Sequence, residues 1–291
     1  VIRARRGGWA ANGRARVCGR VNGTGGYLLT ARRESGREFA DVLGEAQRLG
    51  FAEADPAFDI DGIDAAHKLA VLASVAFGVE VDLDGVHIEG IRQVSAHDIR
   101  FADELGYRIK LLGIARRTPH GIEQRVHPCM VKLGTPIAHV DGVFNAVVAE
   151  GDFVGTTVFQ GRGAGARPTA SAVVSDLIDI ARGRRTPTFA IAATDLAPMR
   201  RSPMARHVGA YYLRLMVIDR PGVFGAVAVA LGEAGVSIES VLQRGRDPNE
   251  VVPVVMVTHD TEEQAMLGAL ERIGTLDAVV EPPTIIRIET L

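Results

Sequence analysis

The stretch from Glu53 to Lys68 reads E-A-D-P-A-F-D-I-D-G-I-D-A-A-H-K. It places five carboxylates (Glu53, Asp55, Asp59, Asp61 and Asp64) within twelve residues and ends on a lysine. Asp61-Gly62-Ile63-Asp64 has the form of a helix start, with Asp61 as N-cap and Asp64 near the third helical position. The apolar run Leu69 to Phe77 behind it predicts a buried helix. On that helix Asp64 and Lys68 stand one turn apart on the same face. Glu53, Asp55 and Asp59 fall in the loop above it.

Lysine is scarce. Of 33 basic residues only Lys68, Lys110 and Lys132 are lysines. Arginine holds its proton, whereas a lysine can be tuned to pass one on. A lysine kept beside an aspartate is therefore a candidate proton carrier. Spacing alone reads equally as a charged helix start with an ion pair worth about 0.2–0.5 kcal/mol.

The pattern E-x-D-P-x-x-D-x-x-G-x-D-x-x-x-K resembles the substrate-site signature of homoserine dehydrogenases. Asn22-Gly23-Thr24, the run Asp141-Gly142-Val143-Phe144-Asn145-Ala146, and Gly161-Arg162-Gly163-Ala164-Gly165 are similar to stretches of that family, in its order. The resemblance covers nearly the whole chain. It implies reversible hydride transfer between NAD(P)H and L-aspartate 4-semialdehyde, giving L-homoserine, in threonine and methionine biosynthesis. It implies Lys68 as proton donor with Asp64 orienting it, and Glu53 and Asp59 as anchors for the substrate ammonium. Gly23 and Thr24 would line the site on a turn. Gly161 and Gly163 would lie near the cofactor, NADP or NAD.

A formal charge of -2 argues against a general nucleic-acid footprint. No apolar run reaches the ~18 residues of a membrane span. Cys18 and Cys129 form neither a spaced metal motif nor a disulfide framework, which fits a reducing cytoplasm. Five histidines (His87, His97, His120, His127 and His139) are scattered without ligand spacing and read as surface or turn residues. No metal site is expected.

In chain order, residues 1–17 read as the end of a helix and a turn. Residues 18–30 read as a strand feeding a Gly-Thr turn. Two features depart from the family pattern. Arg20 stands where an apolar strand residue is expected, and Gly25-Gly26 adds backbone freedom to a turn that should be fixed. Ser35-Gly36-Arg37-Glu38 is a capping-box pattern for a helix running to about Leu49. Ser95 to Asp98 caps another. Strands are expected over 107–115, 122–131, 143–149 and 153–159, followed by a helix from Thr169 to Ala181. The expectation for 1–182 is an α+β domain, a mostly antiparallel sheet covered by helices. Residues 183–209, rich in proline and charge, read as a linker.

Residues 210–291 read as a ferredoxin-like β-α-β-β-α-β unit. Asp219-Arg220-Pro221-Gly222-Val223-Phe224 resembles the signature turn of ACT domains, which bind small amino acids. The resemblance makes Asp219, Gly222 and Val223 candidate effector contacts, with threonine the usual effector. A turn with no ligand, in a unit that only dimerises, fits the same residues.

No G-x-G-x-x-G opens a βαβ unit in this sequence. The family's NAD(P)-binding domain, about 130 residues by typical domain size, would precede these residues. Two readings follow. One is homoserine dehydrogenase, homo-oligomeric and acting on homoserine or aspartate semialdehyde. The alternative is a catalytically incomplete fragment serving as an amino-acid-binding regulatory or dimerisation module. The helix from Thr169 would pack against that NAD(P)-binding domain, and without it Ala172, Val173, Leu177 and Ile180 would lie exposed, which predicts aggregation or a partner.

Overall fold

The computed structural model describes residues 12–244 and 250–291. The helix end expected over residues 1–17 lies mostly outside them, and its last part is corrected. Arg14–Arg20 is a strand, β1, whose consecutive residues Val17, Cys18, Gly19 and Arg20 are all buried, as suits a strand inside a sheet. The chain divides into two units, with the main break between Ser202 and Pro203.

The first unit is built on an antiparallel sheet. After β1 come helices α1 (Gly23–Ser35), α2 (Phe39–Arg48), α3 (Ala57–Ile60) and α4 (Ile63–Phe77). Strand β2 (Val86–Ile88) and helix α5 (Ala96–Glu104) lead to β3 (Tyr107–Thr118), β4 (Gly121–Lys132), β5 (Phe144–Gly151) and β6 (Gly155–Arg162). The strand order is β6-β5-β1-β3-β4, with β2 parallel to β4. α4 carries the buried run expected of it, and Leu69, Ala70, Leu72, Ala73, Val75 and Ala76 are all core residues. Burying one leucine of this kind is worth about 1.5–3 kcal/mol.

Three local readings are corrected. Gly23 and Thr24 are not on a turn. They open α1, with Asn22 as N-cap, its side chain accepting from Gly25 N at 2.6 Å. Ser35 does not cap the next helix. It closes α1, ahead of Gly36 at φ 67°, and α2 starts from Glu38 without a side-chain cap. A glycine in the left-handed region ends a helix more decisively than the sequence S-x-x-E starts one. Asp61 is likewise displaced as N-cap by Gly62 at φ 86°, because its carboxylate is bound to Arg92. The Ser95–Asp98 cap is formed reciprocally, Asp98 N donating to Ser95 Oγ and Ser95 N to Asp98 Oδ2.

Helix α6 (Ala166–Ala181) begins three residues before the expected Thr169 and buries none of its residues. Val173, Val174, Leu177, Ile178 and Ile180 all face outward. The expected linker is only partly free. Ala197, Arg200 and Ser202 make backbone bonds to Gly78, Glu80 and Ile122, and Arg201 pairs with Asp82 at 2.7 Å. Residues 197–202 thus belong to the first unit.

The second unit holds β7 (Val208–Ile218), α7 (Val223–Glu233), β8 (Ile238–Gln243), β9 (Val251–Thr258), the short β10 (Thr261–Glu262), α8 (Glu263–Gly274) and β11 (Thr284–Glu289). The order β11-β7-β9-β8 puts the first and last strands side by side, the expected β-α-β-β-α-β arrangement. Its core is Tyr211, Leu213, Leu215, Leu231, Met256 and Met266 with their neighbours. One buried ion pair crosses it. Arg287 grips both oxygens of Glu263, and Tyr211 donates to the same carboxylate at 2.7 Å. Burial pushes the Glu263 carboxyl up, but Arg287, Tyr211 and His207 more than reverse this and hold it below the usual range.

Candidate active site

The end of β1 and the start of α1 meet the N-terminal turn of α4. Asn22 organises the meeting. Its Nδ2 donates to Asp59 Oδ1 at 2.7 Å and to Asp64 Oδ2 at 3.0 Å, while its Oδ1 caps α1. Thr24 Oγ1 donates to Asp59 Oδ2 at 2.7 Å. Lys68 Nζ donates to Asp64 Oδ2 at 2.7 Å and to the Val21 carbonyl at 3.1 Å. Asn145 Nδ2, from β5, reaches the same carbonyl at 3.3 Å. The Lys68 side chain is 49% exposed and that of Asp64 21%. An ammonium fixed at two points yet open to solvent can hand a proton to a bound molecule and recover it from water.

The structure brings Lys68, Asp64, Asp59 and Thr24 together as the sequence proposed. It leaves Glu53 apart: the residue is exposed, and its carbonyl, not its carboxylate, is engaged, by Gln47 at 3.0 Å. Gly23 sits at the first turn of α1 with open space where a side chain would be. The organising residues Asn22 and Asn145 were not singled out. Both stand in the stretches that carried the resemblance, but an amide has no titration or charge to mark it.

Near the site, the partly exposed Asp141 gathers two cations. Lys110 Nζ, from β3, pairs with it at 2.8 Å, and Arg33 at 3.1 Å. Burial pushes Asp141 up, but hydrogen bonds and charge from Arg33 and Lys110 override this and set its pKa to about 2. Desolvation lowers Lys110 to about 8, against the pull of Asp141. Arg20, lowered to about 10 by burial, donates to the carbonyls of Gly142, at 2.7 Å, and Phe144. Its guanidinium fills the space where a Cβ at position 26 would stand. Arg20 and Gly26, read from sequence as two defects, are one fitted pair. His127, expected at the surface, is buried and bonded to Arg125 at 3.1 Å.

In the second unit, a pocket of about 240 Å³ is lined by Asp219, Arg220, Gly222, Val223 and Phe224 with Gln243. Gly222, at φ 93°, starts α7 with nothing over its Cα.

The family model for homoserine dehydrogenase matches residues 1–178, and that for the ACT domain residues 211–275. The chain belongs to the homoserine dehydrogenase family. A homoserine dehydrogenase of Pseudomonas aeruginosa is 46% identical over 298 residues, covering all of this chain and 69% of that protein. The crystal structure of a homoserine dehydrogenase from Thiobacillus denitrificans superposes with a TM-score of 0.92 at 46% identity, over 99% of this chain and 67% of that one. A hyperthermophilic archaeal homoserine dehydrogenase in complex with NADPH is 30% identical, with a TM-score of 0.54 over 63% of this chain and 52% of that one. The chain thus spans about two thirds of the first two relatives' length.

Homoserine dehydrogenases use a nicotinamide dinucleotide, NAD or NADP. The two glycines expected beside it behave differently. Gly161, on β6, has open space at its Cα and can admit a ligand. Gly163 has none, because the Asn145 amide occupies the place of its Cβ. The need for glycine at 163 thus has a cause within the protein, the Asn145 side chain. No helix among the described residues is long and apolar enough to cross a membrane.

Proposed function

We propose that this chain carries the substrate-binding and proton-transfer groups for the reversible, NAD(P)-dependent interconversion of L-homoserine and L-aspartate 4-semialdehyde. The observation that carries the proposal is the Lys68 ammonium, half exposed and held by Asp64 and the Val21 carbonyl. When bound, the dinucleotide supplies hydride to the aldehyde carbon and accepts it from the alcohol. Addition to the carbonyl leaves negative charge on oxygen, and Lys68 donates the proton that neutralises it. In the reverse direction the amine takes that proton back. Asp64 orients the ammonium and keeps its charge from drifting into solvent.

The substrate's own ammonium needs carboxylates. Asp59 is fixed by Asn22 and Thr24 and still has lone pairs to offer. Glu53, exposed at the loop, would join it on ligand arrival. Gly161 leaves room for one edge of the dinucleotide. In the second unit, the pocket around Asp219, Gly222 and Val223 would hold an amino-acid effector of threonine size, with backbone N–H groups at the start of α7 facing its carboxylate. We take the assembled enzyme to be a homo-oligomer of the cytoplasm. No relative described above is named as a regulatory module.

Two measurements test this. In the enzyme assembled with its dinucleotide-binding region, Lys68→Ala should lower turnover by about 10²–10⁴ and leave dinucleotide binding intact. Near-normal turnover would remove Lys68 from the chemistry. Calorimetric titration of this chain with NADPH, NADH and threonine in parallel addresses the rest. A threonine signal lost in Gly222→Val places the effector in the second unit, and a preference between the dinucleotides answers the cofactor question.

A further inference from the structure

We propose that Asn145 is a positioning residue for Lys68, acting through the carbonyl oxygen of Val21, and that position 163 is glycine in order to admit it. The Val21 carbonyl is the second anchor of the Lys68 ammonium, at 3.1 Å, and Asn145 Nδ2 is its other donor, at 3.3 Å. A carbonyl has two lone pairs, and here each meets one N–H. The orientation of the amide follows. Turned over, it would set Oδ1 against the Val21 oxygen, so Nδ2 must face it. Asn145 Oδ1 is then left buried without a hydrogen-bond partner among the described residues. A buried, half-satisfied amide is costly for stability. Its use lies in what Nδ2 holds. On β6, Gly161 is the strand partner of Asn145, and two residues on, the Asn145 amide fills the space where any side chain at 163 would begin. The strand pair β5–β6 thus delivers one hydrogen bond to the backbone carbonyl that anchors the proton donor.

The proposal rests on Lys68 as proton donor only in its kinetic part. The chain has three lysines, so labelling lysine Cε with carbon-13 gives three resonances, assignable through Lys110→Arg and Lys132→Arg. Asn145→Ala and Gly163→Ala should each move the Lys68 resonance and leave the other two in place. If Gly163→Ala acts by displacing the amide, adding it to Asn145→Ala should have no further effect on that signal. In the assembled enzyme, Asn145→Ala should lower kcat by about tenfold to a hundredfold with little change in KM. An unmoved Lys68 signal in Asn145→Ala, or a shift of all three signals together, would overturn the proposal. Should Lys68→Ala retain turnover, the proton-donor reading fails, while the resonance experiment still decides whether Asn145 holds Lys68.

Discussion

Two carboxylate–cation pairs, one taken from each unit, are built for opposite ends. Asp64–Lys68 lies on one helix face with the lysine half in solvent. Glu263–Arg287 joins α8 to β11 with both side chains 3% exposed, and Tyr211 seals it. An exposed i,i+4 pair contributes about 0.3–0.5 kcal/mol. A buried one contributes little net stability, yet losing one partner costs about 3–5 kcal/mol because a charge is stranded. Cation choice in these two pairs follows the same division, although Lys110 shows that a lysine too can sit buried against a carboxylate. Arginine suits the buried pair, since it never gives up its proton. Lysine suits the open one, where the proton is the commodity.

The sharpest way to break this comparison is to remove each cation in turn. Lys68→Ala should cost turnover by about 10²–10⁴, the usual range for general acid catalysis, while thermal unfolding stays nearly where it was. A large fall in melting temperature would show the pair to be structural after all. Arg287→Met should do the reverse and destabilise the second unit by about 3–5 kcal/mol, measured by denaturant unfolding. Replacing both Glu263 and Arg287 with apolar residues should restore much of that loss, and failure to do so would show the pair contributes more than charge balance.

A smaller effect probes the packing behind the site. Gly26→Ala should cost about 1–3 kcal/mol, as overpacking does, because the new methyl meets the Arg20 guanidinium. Arg20→Met should relieve part of it. The smallest effect is in the acid range. Asp141 has a pKa of about 2, below its ordinary value of 3.8. A carboxyl depressed on folding adds stability that is complete above the ordinary value and is lost as pH falls through the folded one. Unfolding followed from pH 5 to pH 2 should therefore show a loss in the native chain that is reduced in Asp141→Asn. The loss is modest, because the Asp141 side chain is 38% exposed.

What sequence made legible follows the range of the interactions involved. The α4 run, the hairpin of β3 and β4, and the β-α-β-β-α-β unit depend on periodicity and turns within a few residues, and they were readable. So were Lys68 and Asp64, whose meeting needs only one helical turn. Several of the misreadings are cases where a distant partner decided a local question. Asp61 has the chemistry of a cap, but Arg92 claims it. Gly26 looks like slack until Arg20 is seen in its place. Gly163 carries a constraint that its sequence neighbours do not show, since the Asn145 amide stands where its Cβ would be. Position 35 could start one helix or end another, and Gly36 at φ 67° settled the matter.

Asn22 has a consequence for dynamics. One side chain both caps α1 and spans Asp59 and Asp64. Unwinding the first turn of α1 therefore frees the side chain that spans both carboxylates. Fraying of this helix end and loosening of the site's charge arrangement are expected to be coupled. The exchange rate of the Gly25 amide with solvent deuterium becomes a direct clock for how often the site is out of order, readable before any substrate is added.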